Sequence, residues 1–315
     1  MALANLFFGG VPVLVKVATG AHHSAAQITF IRFVVSLGLA LGLIALSRRR
    51  FDVVNLRLLV WRGVFGGLAV LGYFYAIELT TAAKGTLLNY THSLWANLIA
   101  VVLLKHRPPR GFWWLLGLAG VGLWLVIDPH FQTFTLGDGV GLLSGVMGGA
   151  AVMTIKELRR TDAALTIFTF FSLIGIPFAL LPSLVRVVAG AAPFEGWSLP
   201  DLGGWGLILG LSALAMVGQV LFTFAYKFTS LALGTVLSLS VPVLSALGGW
   251  YFLREPLTPH FLLGGALILI ACGGVGALEN AHGKADARRR FDPMGGAASP
   301  APVAASAVED GEAGP

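Results

Sequence analysis

The sequence predicts an all-α integral membrane protein, with ten transmembrane helices arranged as two inverted five-helix repeats. Three observations predict it. Of 315 residues, 56% are hydrophobic and only 11% are charged, with a mean hydropathy of +0.82; a soluble domain carries about 25% charged residues. The chain contains ten apolar runs, each close to the roughly 20 residues that cross a bilayer as a helix. Finally, a stretch beginning at Tyr73 realigns without a gap on one beginning at Phe222, at an offset of 149 residues.

The runs lie near 2–18, 27–46, 58–77, 85–104, 111–127, 139–157, 164–185, 204–226, 231–252 and 261–278. The first is short and starts at Met1; a start placed too late in the chain or a tilted short helix would each explain it. It has no basic segment before it and no convincing cleavage site, so a cleaved signal peptide is not expected. The seventh ends raggedly in "LLPSLVRVV". Glycine is abundant, 41 residues, as expected where membrane helices approach closely.

Basic residues orient the spans, because short cytoplasmic loops are enriched in Lys and Arg. "SRRRFDVVNLR", "KHRPPR", "KELRR", Lys227 and "KADARRR" follow spans two, four, six, eight and ten and hold 15 of the 21 basic residues. Both termini are therefore expected in the cytoplasm of a cell in whose inner or plasma membrane the chain makes multiple passes. Clustering between apolar runs also argues against a nucleic-acid partner, despite the net charge of +6. The expected partners are the lipid bilayer and a small-molecule substrate. Residues 279–315, rich in Ala, Gly and Pro, cannot bury a core and are expected to be a disordered cytoplasmic tail. Cys272 is the single cysteine, so no intrachain disulfide is possible.

The repeat brings Ala76, Thr80, Gly85, Thr86, Leu104 and Phe112 onto Ala225, Thr229, Gly234, Thr235, Leu253 and Phe261. Residues 1–128 and 139–278 thus form two units of five spans. An odd number of spans forces the second unit to be inverted in the bilayer, the arrangement of alternating-access carriers, whose site lies between the halves.

With "VLVK" ending span one, "FIRF" early in span two and "VPVLSALGGWYFLREPLTPHFLLGGALILIACGGV" near the end, the chain resembles the drug/metabolite transporter superfamily, as a protein with two EamA domains. The resemblance covers roughly residues 1–278. Pro242 and Glu255 match the family's pattern of a proline in the span followed by a glutamate; Ser93 and His106 replace them in the first half. The resemblance implies transport of small metabolites, often export of amino acids or related compounds.

"LNYTHSLWAN", residues 88–97, places a polar string inside span four. At about 100° per residue, Asn89, Tyr90, His92, Ser93, Ala96 and Asn97 share one half of the helix. Polar groups at this depth must meet protein or water. The face is either a cavity wall or interhelical glue, and the bulk of Tyr90 and His92 favours the wall. The corresponding arc of span nine holds Ser238, Pro242 and Ser245, and Pro242 can kink its helix. Span eight aligns Gln219, Thr223 and Tyr226. Of Tyr73 and Tyr75 in span three, only one can line a cavity. Lys16 ends span one on the side oriented outward, against the charge rule, whereas Lys156 reads as a residue snorkelling to the headgroups. Arg32 lies deep enough to need a partner, either structural (carbonyls or Glu78) or substrate. Arg62 reads as an anchor near the cytoplasmic end. His92 is either a neutral hydrogen-bonding ligand, with Tyr73 as a candidate neighbour, or the titratable group of the cavity.

All 15 acidic residues lie in loops, at span ends or in the tail. A buried carboxylate for cation coupling is therefore not expected, and the cargo is expected to be neutral, zwitterionic or anionic. No cofactor and no metal site is expected, since clustered His, Asp or Glu ligands are missing. This disfavours a membrane enzyme. The carrier reading has two further rivals, a lipid-facing flippase and a non-transporting membrane interaction protein.

Overall fold

The computed structural model describes residues 1–47, 52–103, 111–127, 134–192, 194, 197–229 and 231–291. Those residues form twelve helices and no strand: α1 (Ala2–Gly20), α2 (Ala25–Ser47), α3 (Leu56–Leu79), α4 (Ala82–Tyr90), α5 (His92–Leu103), α6 (Phe112–Ile127), α7 (Leu136–Leu158), α8 (Ala164–Val188), α9 (Leu202–Ala225), α10 (Leu231–Ser238), α11 (Ser240–Leu253) and α12 (Pro259–Phe291). Among the described residues, eight helical stretches are long and apolar enough to cross a membrane, and Phe112–Gly122 is a shorter apolar helix.

Spans four and nine differ from the sequence reading in one respect: each is two short helices. The break at Thr91 is made by side chains. The Thr91 hydroxyl donates to the Leu88 carbonyl at 2.6 Å, and His92 Nδ1 lies 3.1 Å from the Asn89 carbonyl. Side chains thus take up carbonyls that a continuous helix would use. The break at Leu239 has a backbone cause. Pro242 has no N–H for the carbonyl four residues earlier, Ser238, and its ring crowds that carbonyl. Asn5 of α1 donates to the neighbouring Leu237 carbonyl at 2.6 Å. The two breaks are one residue apart in the repeat register, although only one contains a proline.

The broken first-half helix fits against α7 because α7 offers a stripe of Gly141, Gly145 and Gly149. A Cβ at Gly149 would lie 2.7 Å from Trp95 Cβ, and one at Gly145 would meet the Thr91 hydroxyl. Side chains there would push α5 away from α7, so the small-residue stripe sets their close approach. α3 meets α8 in the same way at Gly63, where a Cβ would lie 2.5 Å from Ile174 Cβ. α1 packs on α9 and α11, and α6 packs on α12.

The two halves share a detailed contact. Lys16 Nζ of α1 donates to the carbonyls of Ile77, Glu78 and Thr80 at 2.9, 3.2 and 2.5 Å, at the end of α3. Lys156 Nζ of α7 donates to the carbonyls of Tyr226 and Thr229 at 3.1 and 2.6 Å, at the end of α9. Ile77 and Thr80 are the 149-residue counterparts of Tyr226 and Thr229. An ammonium at a helix C-terminus satisfies orphan carbonyls and meets the negative end of the helix dipole. Lys156 is therefore a cap for α9 rather than a snorkelling residue. Lys16 is held by the same chemistry and does not reach the cavity.

α12 continues past the apolar run to Phe291, whereas residues 279–291 were expected to be tail. Ala, Lys and Arg are good helix formers, and a helix already nucleated by the preceding span extends without a new nucleation step. The remainder of the expected tail, and His106, lie outside the described residues.

Candidate functional site

Where α1, α2, α3, α4, α5, α7, α8 and α9 converge, they leave a cavity of about 110 Å³. That is room for several waters or one compact solute. Its wall includes Arg32, Arg62, Tyr73, Asn89, Tyr90, His92 and Gln219, with Phe8, Phe74, Phe171 and Phe222 as its principal apolar faces. It contains no Asp or Glu among the described residues.

Six of the residues expected at a site meet here: Arg32, Tyr73, Asn89, Tyr90, His92 and Gln219. The break at Thr91 decides which members of "LNYTHSLWAN" do so. Asn89, Tyr90 and His92 reach the cavity. Beyond the break the helix no longer continues the same face, and Ser93 turns to the Thr235 carbonyl of α10 at 3.3 Å, while Asn97 Nδ2 donates to the Ser93 carbonyl at 2.8 Å. The polar string is thus cavity wall at one end and interhelical glue at the other.

The other second-half residues fall elsewhere. Ser238 donates to the Thr235 carbonyl at 2.7 Å and Ser245 to the Ala82 carbonyl at 3.0 Å. Both bonds satisfy the hydroxyl inside the helix packing. Pro242 lines a separate groove with Leu247, Phe261, Leu262 and Leu269. Thr223 and Tyr226 are buried, but their side of α9 packs on neighbouring helices. Tyr226 stands edge-on to Phe222 at 5.0 Å and would touch a Cβ at Gly234.

Each cavity side chain has a local reason for its position. Tyr73 donates to or accepts from Thr86 at 3.0 Å, so it is not a partner of His92. Asn89 Nδ2 donates to Ser144 of α7 at 3.0 Å. Since a carbonyl can only accept, His92 Nδ1 carries the proton in its bond to Asn89. Nε2 is buried without a partner, and the ring lies 4.8 Å from that of Tyr90.

Arg32 is 4% exposed and Arg62 3%. Among the described residues neither has a carboxylate partner: Glu78 instead accepts from the Ala25 N–H at 3.0 Å, capping α2. Nε and Nη1 of both guanidiniums have no hydrogen-bond partner. Their neighbours are aromatic rings. Arg62 Cζ lies 4.2 Å from the centre of Phe171, and Arg32 Cζ lies 6.0 Å from the same ring and 5.5 Å from Phe74. A desolvated cation–π contact contributes about 2 kcal/mol, whereas burying an ion costs several kcal/mol, so the rings offset only part of the burial.

Arg62 lines the cavity, although the sequence reads it as an anchor. It lies six residues into α3, roughly 9 Å along the helix at 1.5 Å per residue, which is too deep for that role. A signal was available in Gly66, one turn later on the same face. A Cβ at Gly66 would meet the Arg62 guanidinium and lie 2.8 Å from the ring carbons of Phe171.

Long apolar helices around a buried cavity with polar groups in its wall are the architecture of a multi-pass membrane protein, and similarity to known proteins places it more narrowly. The chain belongs to the EamA-like transporter family, whose model matches residues 1–128 and 135–276, within the drug/metabolite transporter superfamily. Its relatives are transporters rather than enzymes. It is 29% identical over 277 residues to the pseudopaline exporter CntI of Pseudomonas aeruginosa (strain UCBPP-PA14), covering 86% of this chain and 92% of that protein. It is 29% identical over 255 residues to the threonine/homoserine exporter RhtA of Escherichia coli (strain K12), covering 76% and 80%. A crystal structure with 16% sequence identity shares the fold, with a TM-score of 0.61 over 90% of this chain and 97% of the other.

Proposed function

We propose that the protein is a secondary carrier that exports a small polar metabolite across the inner or plasma membrane by alternating access, with both termini in the cytoplasm. In this reading ten spans form two inverted five-helix repeats, with α4–α5 and α10–α11 each counted as one broken span. Asn89, Tyr90, His92, Tyr73, Gln219, Arg32 and Arg62 contact the cargo.

The observation that supports it most is the cavity itself, placed beside a mid-span helix break. Broken helices bring carbonyls and polar side chains to membrane depth, which is tolerated where they line a cavity. The repeat-related lysine caps on α3 and α9 support two like halves that could rock against each other. Export is supported by the two named relatives, both exporters. An amino-acid-like cargo is supported by one of them, which exports threonine and homoserine. A flippase is not favoured. The groove beside Pro242 would have to admit a lipid headgroup, and every residue of its wall is apolar.

Reconstitution into liposomes tests the proposal. Vesicles preloaded with radiolabelled threonine, glutamate or succinate should release at least one of them faster than protein-free vesicles, and unlabelled solute outside should accelerate release by exchange. Equal release with and without protein for all three would overturn the carrier reading.

A further inference from the structure

We propose that Arg32 and Arg62 act together as one recognition site for a dianionic cargo, a compact organic molecule carrying two carboxylates. This rests on the carrier reading and names its substrate class.

The inference comes from the charge in the wall. Two guanidiniums face one cavity of about 110 Å³, and no Asp or Glu among the described residues lines it. Both are nearly fully buried, and each leaves Nε and Nη1 unpartnered. In each, Nε and Nη1 belong to the two edges, Nε–Nη2 and Nη1–Nη2, through which a guanidinium binds a carboxylate by two parallel hydrogen bonds. Phe171 positions the pair: its ring centre is 4.2 Å from Arg62 Cζ and 6.0 Å from Arg32 Cζ. The two cations are therefore close enough for a single two-headed molecule to engage both.

Other cargo charges fit less well. A zwitterion would bring an ammonium into a small space that already holds two cations and offers it no carboxylate. A simple monoanion would leave one guanidinium uncompensated. A dianion neutralises both. Phe8, Phe74 and Phe222 then supply an apolar surface for the carbon skeleton, and Gln219 supplies further hydrogen bonding.

The test uses the full chain, first in detergent and then in liposomes. Thermal stability is measured against succinate, glutarate and adipate, the monoamide of each, and threonine. A ligand of the folded state stabilises it by mass action. At least one dicarboxylate should bind about tenfold or more tightly than its monoamide, as expected for losing one charge-assisted contact. Arg62→Gln and Arg32→Gln should each abolish that preference, and Arg62→Lys should retain part of it. Equal affinity for dicarboxylate and monoamide, tighter binding of threonine, or no stabilisation by any dicarboxylate would overturn the proposal. These outcomes need only wild-type protein, so poor folding of a variant does not shield it.

Flux measured on the same preparations separates the two ideas. A dicarboxylate preference without transport keeps the site and discards the carrier. Threonine transport indifferent to dicarboxylates keeps the carrier and discards the dianion.

Discussion

At the scale of single residues, the cavity depends on side chains whose neighbours leave them free. His92 donates through Nδ1 to a backbone carbonyl, which leaves Nε2 without a partner among the described residues. His92→Gln can still hydrogen-bond but cannot take up a proton. Its transport rate should fall by no more than about tenfold, the scale of one neutral hydrogen bond, and keep the wild-type pH profile. Loss of the pH dependence would make His92 a proton-coupling group instead. Gly66 gives a second expectation. Gly66→Ala puts a methyl group where the Arg62 guanidinium and the Phe171 ring now lie. Overpacking of this kind costs about 1–3 kcal/mol, and the easiest relief is movement of Arg62. The variant should fold with a lowered melting temperature and lose dicarboxylate stabilisation; binding at the wild-type level would show that Arg62 tolerates displacement. Arg32, Asn89, Tyr90 and His92 were legible in the sequence as polar groups at membrane depth. Arg62 was not, because nearness to a span end looks the same for an anchor and for an inward-facing cation.

At the scale of elements, the helix breaks connect sequence to site. Pro242→Ala restores a donor for the Ser238 carbonyl and removes a ring from the first turn of α11, so that α10 and α11 can join as one helix. The variant should melt higher and transport more slowly, since a straightened α10–α11 would lose its freedom to bend; unchanged turnover would show that the break is not used. Glu255 has an opposite role. Its carboxylate accepts from the Ala82 and Ala83 N–H groups at 2.7 and 3.2 Å, holding the start of α4 from the other half of the chain. Glu255→Ala should lower stability by about 1–2 kcal/mol, the scale of a lost N-cap, read as a lower melting temperature. Every apolar run found in the sequence contains helix, because length and apolar composition are sufficient for that. The break at Thr91 was not visible, since it depends on where a hydroxyl and an imidazole point. A wheel drawn through a continuous helix therefore put Ser93 and Asn97 on the cavity face.

At the scale of the molecule, orientation and symmetry make separate predictions. In a Cys272→Ser background, a membrane-impermeant maleimide applied to intact cells should label Ala191→Cys, between α8 and α9, and spare Thr161→Cys, at the basic end of α7. The reverse pattern would invert the topology drawn from the charge rule. The repeat is readable in the sequence as a gapless offset from residue 73 onward. The structure adds what identities could not: Lys16 and Lys156, 140 residues apart, grip carbonyls 149 residues apart.

In the proposed cycle the paired arginines would also set the electrical character of transport. Loaded with a dianion, the cavity is neutral, and its reorientation crosses no net charge. Empty, it returns with two positive charges, and each elementary charge moved through the full field exchanges about 2.3 kcal/mol per 100 mV. In a cell that is negative inside, that voltage draws the empty site inward and leaves the loaded step untouched. The membrane potential alone would then drive net efflux, without a coupling ion.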